Sequence, residues 1–198
     1  MKQLLFATGN KGKLKEVQDI FADTNFEILS LYDLGDVPEI EETEDTFEGN
    51  ALLKAKAIYE LYKIPTIADD SGLSVDQLNG APGVISARYA GENCTYHDNN
   101  VKLINQLKAF PQPHKAKFVS CAVYYDGKSH TTVFGEFTGR IIGEFRGTNG
   151  FGYDPIFVPD GFETTLAEMT LDVKNKISHR ARAFNKMKKE LKAKLDSH

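Results

Sequence analysis

Between Gln3 and Val75 the hydrophobic period switches repeatedly, and this switching restricts the fold more than any other feature of the chain. Gln3 to Ala7 is a short apolar run, after which Leu14, Val17, Ile20 and Phe21 recur at helical spacing. Phe26 to Leu31 is apolar again, and Leu52, Ala55, Tyr59 and Tyr62 then make one stripe of a helix over Asn50 to Tyr62. Pro65 to Val75 returns to a strand. Strands alternating with helices are the units of an α/β core, since each helix must cover a sheet face. Farther on, Thr95 to Phe110 forms a helix with Val101, Leu103, Ile104 and Leu107 inward and Thr95 or Asp98 as its cap. Ala116 to Tyr125 and His130 to Phe137 alternate around Asp126-Gly127, a hairpin signal. Ile141-Ile142 and Pro155 to Val158 read as further strands, and Ile177, Ala181, Phe184, Met187, Leu191 and Leu195 as the stripe of a last helix. A hairpin added to a strand-helix-strand start predicts an elongated mixed β-sheet flanked by helices. A pure Rossmann arrangement is not expected, because no Gly-x-Gly-x-x-Gly follows the first strand.

The 198 residues, 41% hydrophobic and 26% charged, suffice for one well-buried domain over 1–198 or for two lobes sharing a cleft. A net charge of -4 argues against a general binder of nucleic acid polymers, although an acidic protein can still hold phosphates locally with a metal and a few lysines. The charge is uneven: Asp36 to Glu48 carries seven acidic residues and no basic one, whereas Lys174 onward carries nine basic residues against Glu190 and Asp196. Cys94 and Cys121 have no metal-like spacing, which fits a reducing, cytoplasmic setting. No apolar stretch reaches membrane-spanning length, and no export signal precedes the first strand.

Five places carry candidate chemistry. Ala68-Asp69-Asp70-Ser71-Gly72 ends an apolar run on two carboxylates; side chains alternate along a strand, so only one of Asp69 and Asp70 can face a given ligand. Thr8-Gly9-Asn10-Lys11-Gly12-Lys13 joins a strand to a helix N-terminus, where backbone N–H groups, the helix dipole and two lysines favour an anion. It lacks the Walker spacing, and a plain turn accounts equally for its glycines. Lys54, near the start of its helix, sits where a cation is electrostatically out of place unless it faces a phosphate or solvent. Gly147 to Pro155 packs glycines around Phe151 and Tyr153; such a loop lets backbone approach a ligand and lets an aromatic stack on a planar base, or it is simply a tight hairpin. His179 and Arg180, off the apolar stripe of the last helix, are donors suited to a carbonyl oxygen or to solvent.

Taken together, Thr8-Gly-Asn-x-Gly-Lys13, Glu41-Glu-Thr, Phe47-x-x-Asn-Ala51, Ala68-Asp-Asp-Ser-Gly-Leu73, Gly80-Ala-Pro-Gly83, Ser86-Ala-Arg-Tyr89, Phe151-Gly-Tyr-Asp-Pro155 and Ile177-Ser-His-Arg180 resemble the inosine triphosphate pyrophosphatase family, in order and over nearly the whole chain. The resemblance implies a two-lobed α/β fold with a central substrate cleft, a homodimer, and Mg2+-dependent hydrolysis of dITP, ITP and XTP to the monophosphate and pyrophosphate. By position, Thr8, Gly9, Asn10, Lys11, Gly12 and Lys13 match the triphosphate loop, Glu41 and Asp70 the magnesium site, Asp70 the proton acceptor, Ser71 a substrate contact and Lys54 a phosphate-facing lysine. Phe151, Gly152, Tyr153, Asp154, Lys174, His179 and Arg180 match the purine pocket. Gly49 stands where many relatives have glutamate.

The residue types suit that reaction: carboxylates for a hard cation, lysines for departing pyrophosphate, and a base for water. Asp69 and Glu42 stand beside Asp70 as alternative proton acceptors. Donors facing the base welcome a 6-keto purine and meet adenine's amino group donor against donor. Two rival readings are a metal phosphatase of another class and a nucleotide sensor without turnover. A haloacid-dehalogenase-type phosphatase needs Asp-x-Asp after the first strand, where this chain has Thr-Gly-Asn.

Overall fold

A computed structural model describes residues 1–35 and 40–196, the side chains of 195 and 196 excepted. Part of the acidic run from Asp36 to Glu48 therefore lies outside the described residues. Strands β1 (Lys2–Phe6), β2 (Phe26–Ser30), β3 (Thr66–Val75), β4 (His114–Tyr125), β5 (His130–Ile141) and β6 (Phe157–Pro159) form one sheet in the order β2-β1-β3-β4-β5-β6. β1 runs parallel to β2 and β3, and β5 antiparallel to β6, so the sheet is mixed as the sequence predicts. The helices are α1 (Lys11–Phe21), α2 (Phe47–Tyr62), α3 (Tyr96–Leu107), α4 (Leu171–Ile177) and α5 (His179–Asp196). Among the described residues no helix is long and apolar enough to cross a membrane.

Three expected elements change. Ile141 ends β5, and Ile142 adds no further strand. Pro155, without an N–H to give a ladder, lies in a 3-10 turn over Asp154–Ile156 and the strand begins only at Phe157. The last helix is broken at Ser178, whose φ of -63° and ψ of 160° are extended, so Ile177 closes α4 and the stripe from Ala181 belongs to α5.

Contacts divide the chain into two compact units, the first of Met1–Asp70, Ser120–Gly135 and Arg180–His198, the second of Ser71–Val119 and Glu136–His179. In the first unit the strand alternation sorts the core onto two faces. Leu4, Phe6, Ile67 and Ala122 join Val17 and Phe21 of α1 and Phe184, Met187 and Leu191 of α5. Leu5, Ala7, Ala68, Cys121 and Val123 join Ala51, Ala55 and Ile58 of α2. Phe6 meets Phe184 edge-on at 5.3 Å, a pairing worth about 1 kcal/mol beyond the buried area. The second unit has its own core, in which Leu73, Leu103, Phe118, Phe137, Ile156 and Phe157 are buried together.

Local chemistry sets the helix starts. Asn10 caps α1 by accepting from the Lys13 N–H at 3.0 Å, Thr46 caps α2 from Gly49 at 3.0 Å, and Thr95 and Asp98 close a reciprocal capping box on α3.

Candidate active site

The two-faced core fixes where the adjacent carboxylates of β3 point. Asp69 follows Ile67 onto the face of α1 and α5, and Asp70 follows Ala68 onto the face of α2. Their partners agree. Asp69 takes Lys13 Nζ at 3.0 and 3.2 Å and Arg180 Nε at 3.5 Å, while Asp70 Oδ2 accepts from Asn50 Nδ2 at 3.1 Å. Arg180 Nη1 also reaches Glu16 at 2.7 Å, so a buried charge chain runs Glu16–Arg180–Asp69–Lys13. Burial draws the Lys13 ammonium below its ordinary value, with Asp69 opposing that shift. For Lys54 burial acts in the same direction, but Asp69, Glu42 and Asp70 outweigh it and leave the pKa raised.

Lys54 Nζ donates to Glu42 Oε1 at 2.5 Å and to the Asp69 carbonyl at 2.7 Å. The sequence points to Glu41 for a cation, yet Glu41 is exposed and its neighbour Glu42 is the one turned to Lys54. Adjacent residues of this segment face different ways, and nothing in their chemistry tells the two glutamates apart. Asp70 is 5% exposed, and its carboxyl is pushed up to about 6, first by burial, with Glu42 and Asp69 adding to the rise and Lys54 and Asn50 resisting it.

Beside these groups lies a cavity of about 310 Å3, lined by Thr8, Gly9, Asn10, Lys13, Ile40, Glu42, Lys54 and Asp69 among others. The loop is held in shape by Thr8 Oγ1, which accepts from Asn10 N at 3.1 Å, and by Gly9, whose carbonyl accepts from the Tyr32 hydroxyl at 2.5 Å. Lys11 is exposed and lies 5.4 Å over the Tyr32 ring, away from this lining, and Gly12 leaves only 3.1 Å between a would-be Cβ and Asn10 Oδ1.

In the second unit the residues of the Gly147 to Pro155 loop gather around a buried pair. Asp154 and Lys174, 3% and 6% exposed, are hydrogen-bonded through Oδ2 and Nζ. Asp154 Oδ2 also accepts from Phe151 N at 2.8 Å, and Lys174 Nζ stands 4.6 Å from the Phe151 ring centroid. The Phe151 ring is half exposed. Gly150 is obligatory: its φ is +76°, and a Cβ there would lie 2.0 Å from Asp154 Oδ2. Gly152 offers its carbonyl to Asn100 Nδ2 at 2.9 Å, and the buried Tyr153 hydroxyl donates to the Ser86 carbonyl at 2.8 Å. Burial holds the Tyr153 phenol well above its usual range. His179 is stacked on Phe118, ring centroids 5.0 Å apart and planes 13° from parallel. Ser71 follows Asp70 in β3 as the first residue of this unit.

The first unit thus joins Lys13, Lys54, Glu42, Asp69 and Asp70, and the second joins Phe151, Asp154 and Lys174. The sequence model of the Ham1 family matches residues 4–190 of the chain. The chain belongs to the Ham1 family. It is 45% identical over 195 residues to the dITP/XTP pyrophosphatase of Thermoanaerobacter pseudethanolicus, covering 98% of each chain. The dITP/XTP pyrophosphatase of Bacillus subtilis is 46% identical over 195 residues, again 98% of each. A HAM1 protein from Coxiella burnetii superposes with a TM-score of 0.91 at 36% identity, covering 98% of this chain and all of the other. A nucleoside-triphosphatase / dITP/XTP pyrophosphatase from Mycobacterium abscessus gives a TM-score of 0.78 at 39% identity, covering 93% and 98%.

Several residues that shape this Ham1-family site carry no assigned role in the sequence reading. Asn50 was visible inside its motif, but its two-sided bonding is tertiary. Glu16 looks like any surface charge of an amphipathic helix, and Phe118 like any core residue of an alternating strand.

Proposed function

We infer that this chain hydrolyses the non-canonical purine nucleoside triphosphates dITP, XTP and ITP to the monophosphate and pyrophosphate, with Mg2+ as cofactor. The observation that carries the reading is the cavity in which Lys13 and Lys54 face Glu42 and Asp69, one residue from the buried Asp70. Cations for a polyphosphate and carboxylates for a divalent ion meet there, as the reaction demands, and relatives at 45–46% identity bear the name dITP/XTP pyrophosphatase.

The donor set fits a cation. Asp70 is buried near two further carboxylates; burial is the main cause of the upward push on its carboxyl, and Glu42 and Asp69 add negative charge that a divalent ion would offset. Glu42 and Asp70 are the residues that would hold it, in place of the Glu41 and Asp70 that the sequence points to. Mg2+ is commonly held by one or two carboxylates together with substrate phosphates and water, so these two residues suffice. Bound there, Mg2+ would stabilise the charge developing on the phosphates.

The chain's own residues do the rest. Lys13 and Lys54 place positive charge against the pyrophosphate end, and Gly9, Lys11 and Gly12 supply backbone N–H groups beside the N-terminus of α1, those of Thr8 and Asn10 being bonded within the loop and to β1. Asp70, the buried carboxylate one residue from the cavity lining, is the group assigned to accept a proton from water. The new bond joins water oxygen to the α-phosphorus, the bond to the bridging oxygen breaks, and pyrophosphate leaves.

For the base, the Phe151 face supplies stacking, Asp154 and Lys174 hold that ring in place, and Ser71 contacts the substrate. His179 and Arg180 are the donors assigned to a 6-keto oxygen, with Arg180 also anchoring Asp69. The family resemblance adds a homodimer, and the two free cysteines suit a reducing cytoplasm. Incubation with ITP and Mg2+ tests the reading. Pyrophosphate with IMP is expected; orthophosphate with IDP would point to a stepwise phosphatase, and binding without products to a sensor.

A further inference from the structure

Asn50 lies in the first turn of α2, 1% exposed, and uses both ends of its amide. Nδ2 donates to Asp70 Oδ2 at 3.1 Å, and Oδ1 accepts from Glu44 N at 2.9 Å. One side chain therefore ties the catalytic strand β3 to the acidic segment that carries Glu42 two residues earlier. Asparagine is a poor interior helix residue, so this position is kept for its bonds rather than for its propensity. The segment also lies flush on the helix: a Cβ at Gly49 would stand 2.7 Å from Glu44 Cβ and 3.0 Å from its Cγ. Gly49 has ordinary helical backbone, and what it supplies is space. Glu42 is fixed in turn by Lys54, on the same helix as Asn50.

We propose that Asn50 is a positioning residue: by tying Glu44 to Asp70 it sets the spacing of Glu42 and Asp70, with Gly49 providing the room for that approach. The inference rests on the cation site assigned above. It makes Asn50 a determinant of cation affinity that never touches the cation.

The test is Mn2+ titration of the whole protein without substrate, followed by the electron paramagnetic resonance of free Mn2+, on wild type, Asn50→Ala and Gly49→Ala. Loss of an outer partner of a ligand typically weakens metal binding 10–100-fold, so each variant should raise the Mn2+ dissociation constant about tenfold or more. ITP hydrolysis should recover in part as the cation concentration is raised. Gly49→Ala keeps the Asn50 amide, and its methyl group displaces Glu44 and meets the capping Thr46 Oγ1 at 3.0 Å, so its melting temperature is measured beside its Mn2+ affinity. Wild-type-like Mn2+ affinity, within about twofold, in both variants overturns the proposal, as does a wild type that binds no Mn2+; if Asn50→Ala does not fold, Gly49→Ala decides alone. A wild type that binds Mn2+ but releases no pyrophosphate from ITP strikes the reaction assigned above and leaves the titration to judge Asn50.

Discussion

Replacing Asp154 by Asn should destabilise the protein far more than an isosteric change suggests. The side chain keeps its shape and can still accept from Phe151 N, but Lys174, 6% exposed, loses its counter-charge. Leaving one member of a buried pair uncompensated costs about 3–5 kcal/mol. For a chain of this size each kcal/mol lowers the melting temperature by roughly 2–4 °C, so a fall of about 10 °C is expected. Asp154→Ala should cost about 1 kcal/mol more, since the Phe151 N–H also loses its acceptor. The decisive comparison is the double variant Asp154→Asn with Lys174→Met, which removes the stranded charge and should recover about 2 kcal/mol or more relative to the sum of the single variants. Urea unfolding of the four proteins gives the cycle. KM for ITP should rise in Asp154→Asn with a smaller change in kcat, because the pair holds the Phe151 ring. Additive single effects, or an Asp154→Asn loss under about 1 kcal/mol, would refute the reasoning.

Asp70→Asn should reduce ITP hydrolysis at least 100-fold while the fold persists, as followed by pyrophosphate release and circular dichroism. In chelator, the Asp70 carboxyl at about 6 against 3.8 makes its ionised form cost about 3 kcal/mol in the folded state. That cost is absent below pH 3.8 and develops as pH rises through 6, so the part of stability due to Asp70 should grow on acidification from pH 8 to 5, and Asp70→Asn should abolish that part. Glu42→Gln should raise the Mg2+ concentration needed for half-maximal activity about tenfold, whereas Glu41→Gln should leave it unchanged; the opposite order would return the cation to Glu41. His179→Ala should narrow the preference for ITP over ATP in kcat/KM, and an unchanged ratio would remove it from base selection.

The backbone was legible wherever a period was sustained. The β1-α1-β2 start, α2 and the hairpin of β4 and β5 follow from apolar spacing and from Asp126-Gly127, and Thr95 capped its helix as its chemistry dictates. The break at Ser178 was not legible, because the apolar stripe continues from Ile177 through Ala181 as though nothing intervened. At the site, strand alternation alone separates Asp69 from Asp70. Glu41 and Glu42 could not be separated in the same way, since their segment has no period and only Lys54 distinguishes them. Arg180 reads as an exposed donor by its place off the apolar stripe, yet it is 4% exposed and bound to Asp69 and Glu16. Such pairing depends on residues more than 100 positions away and leaves no local trace.

Hydrolysis of ITP in 18O-labelled water tests the central claim, water attack at the α-phosphorus under Asp70, most directly. The account predicts the label in IMP and none in pyrophosphate; label in pyrophosphate would place the attack at the β-phosphorus and contradict it.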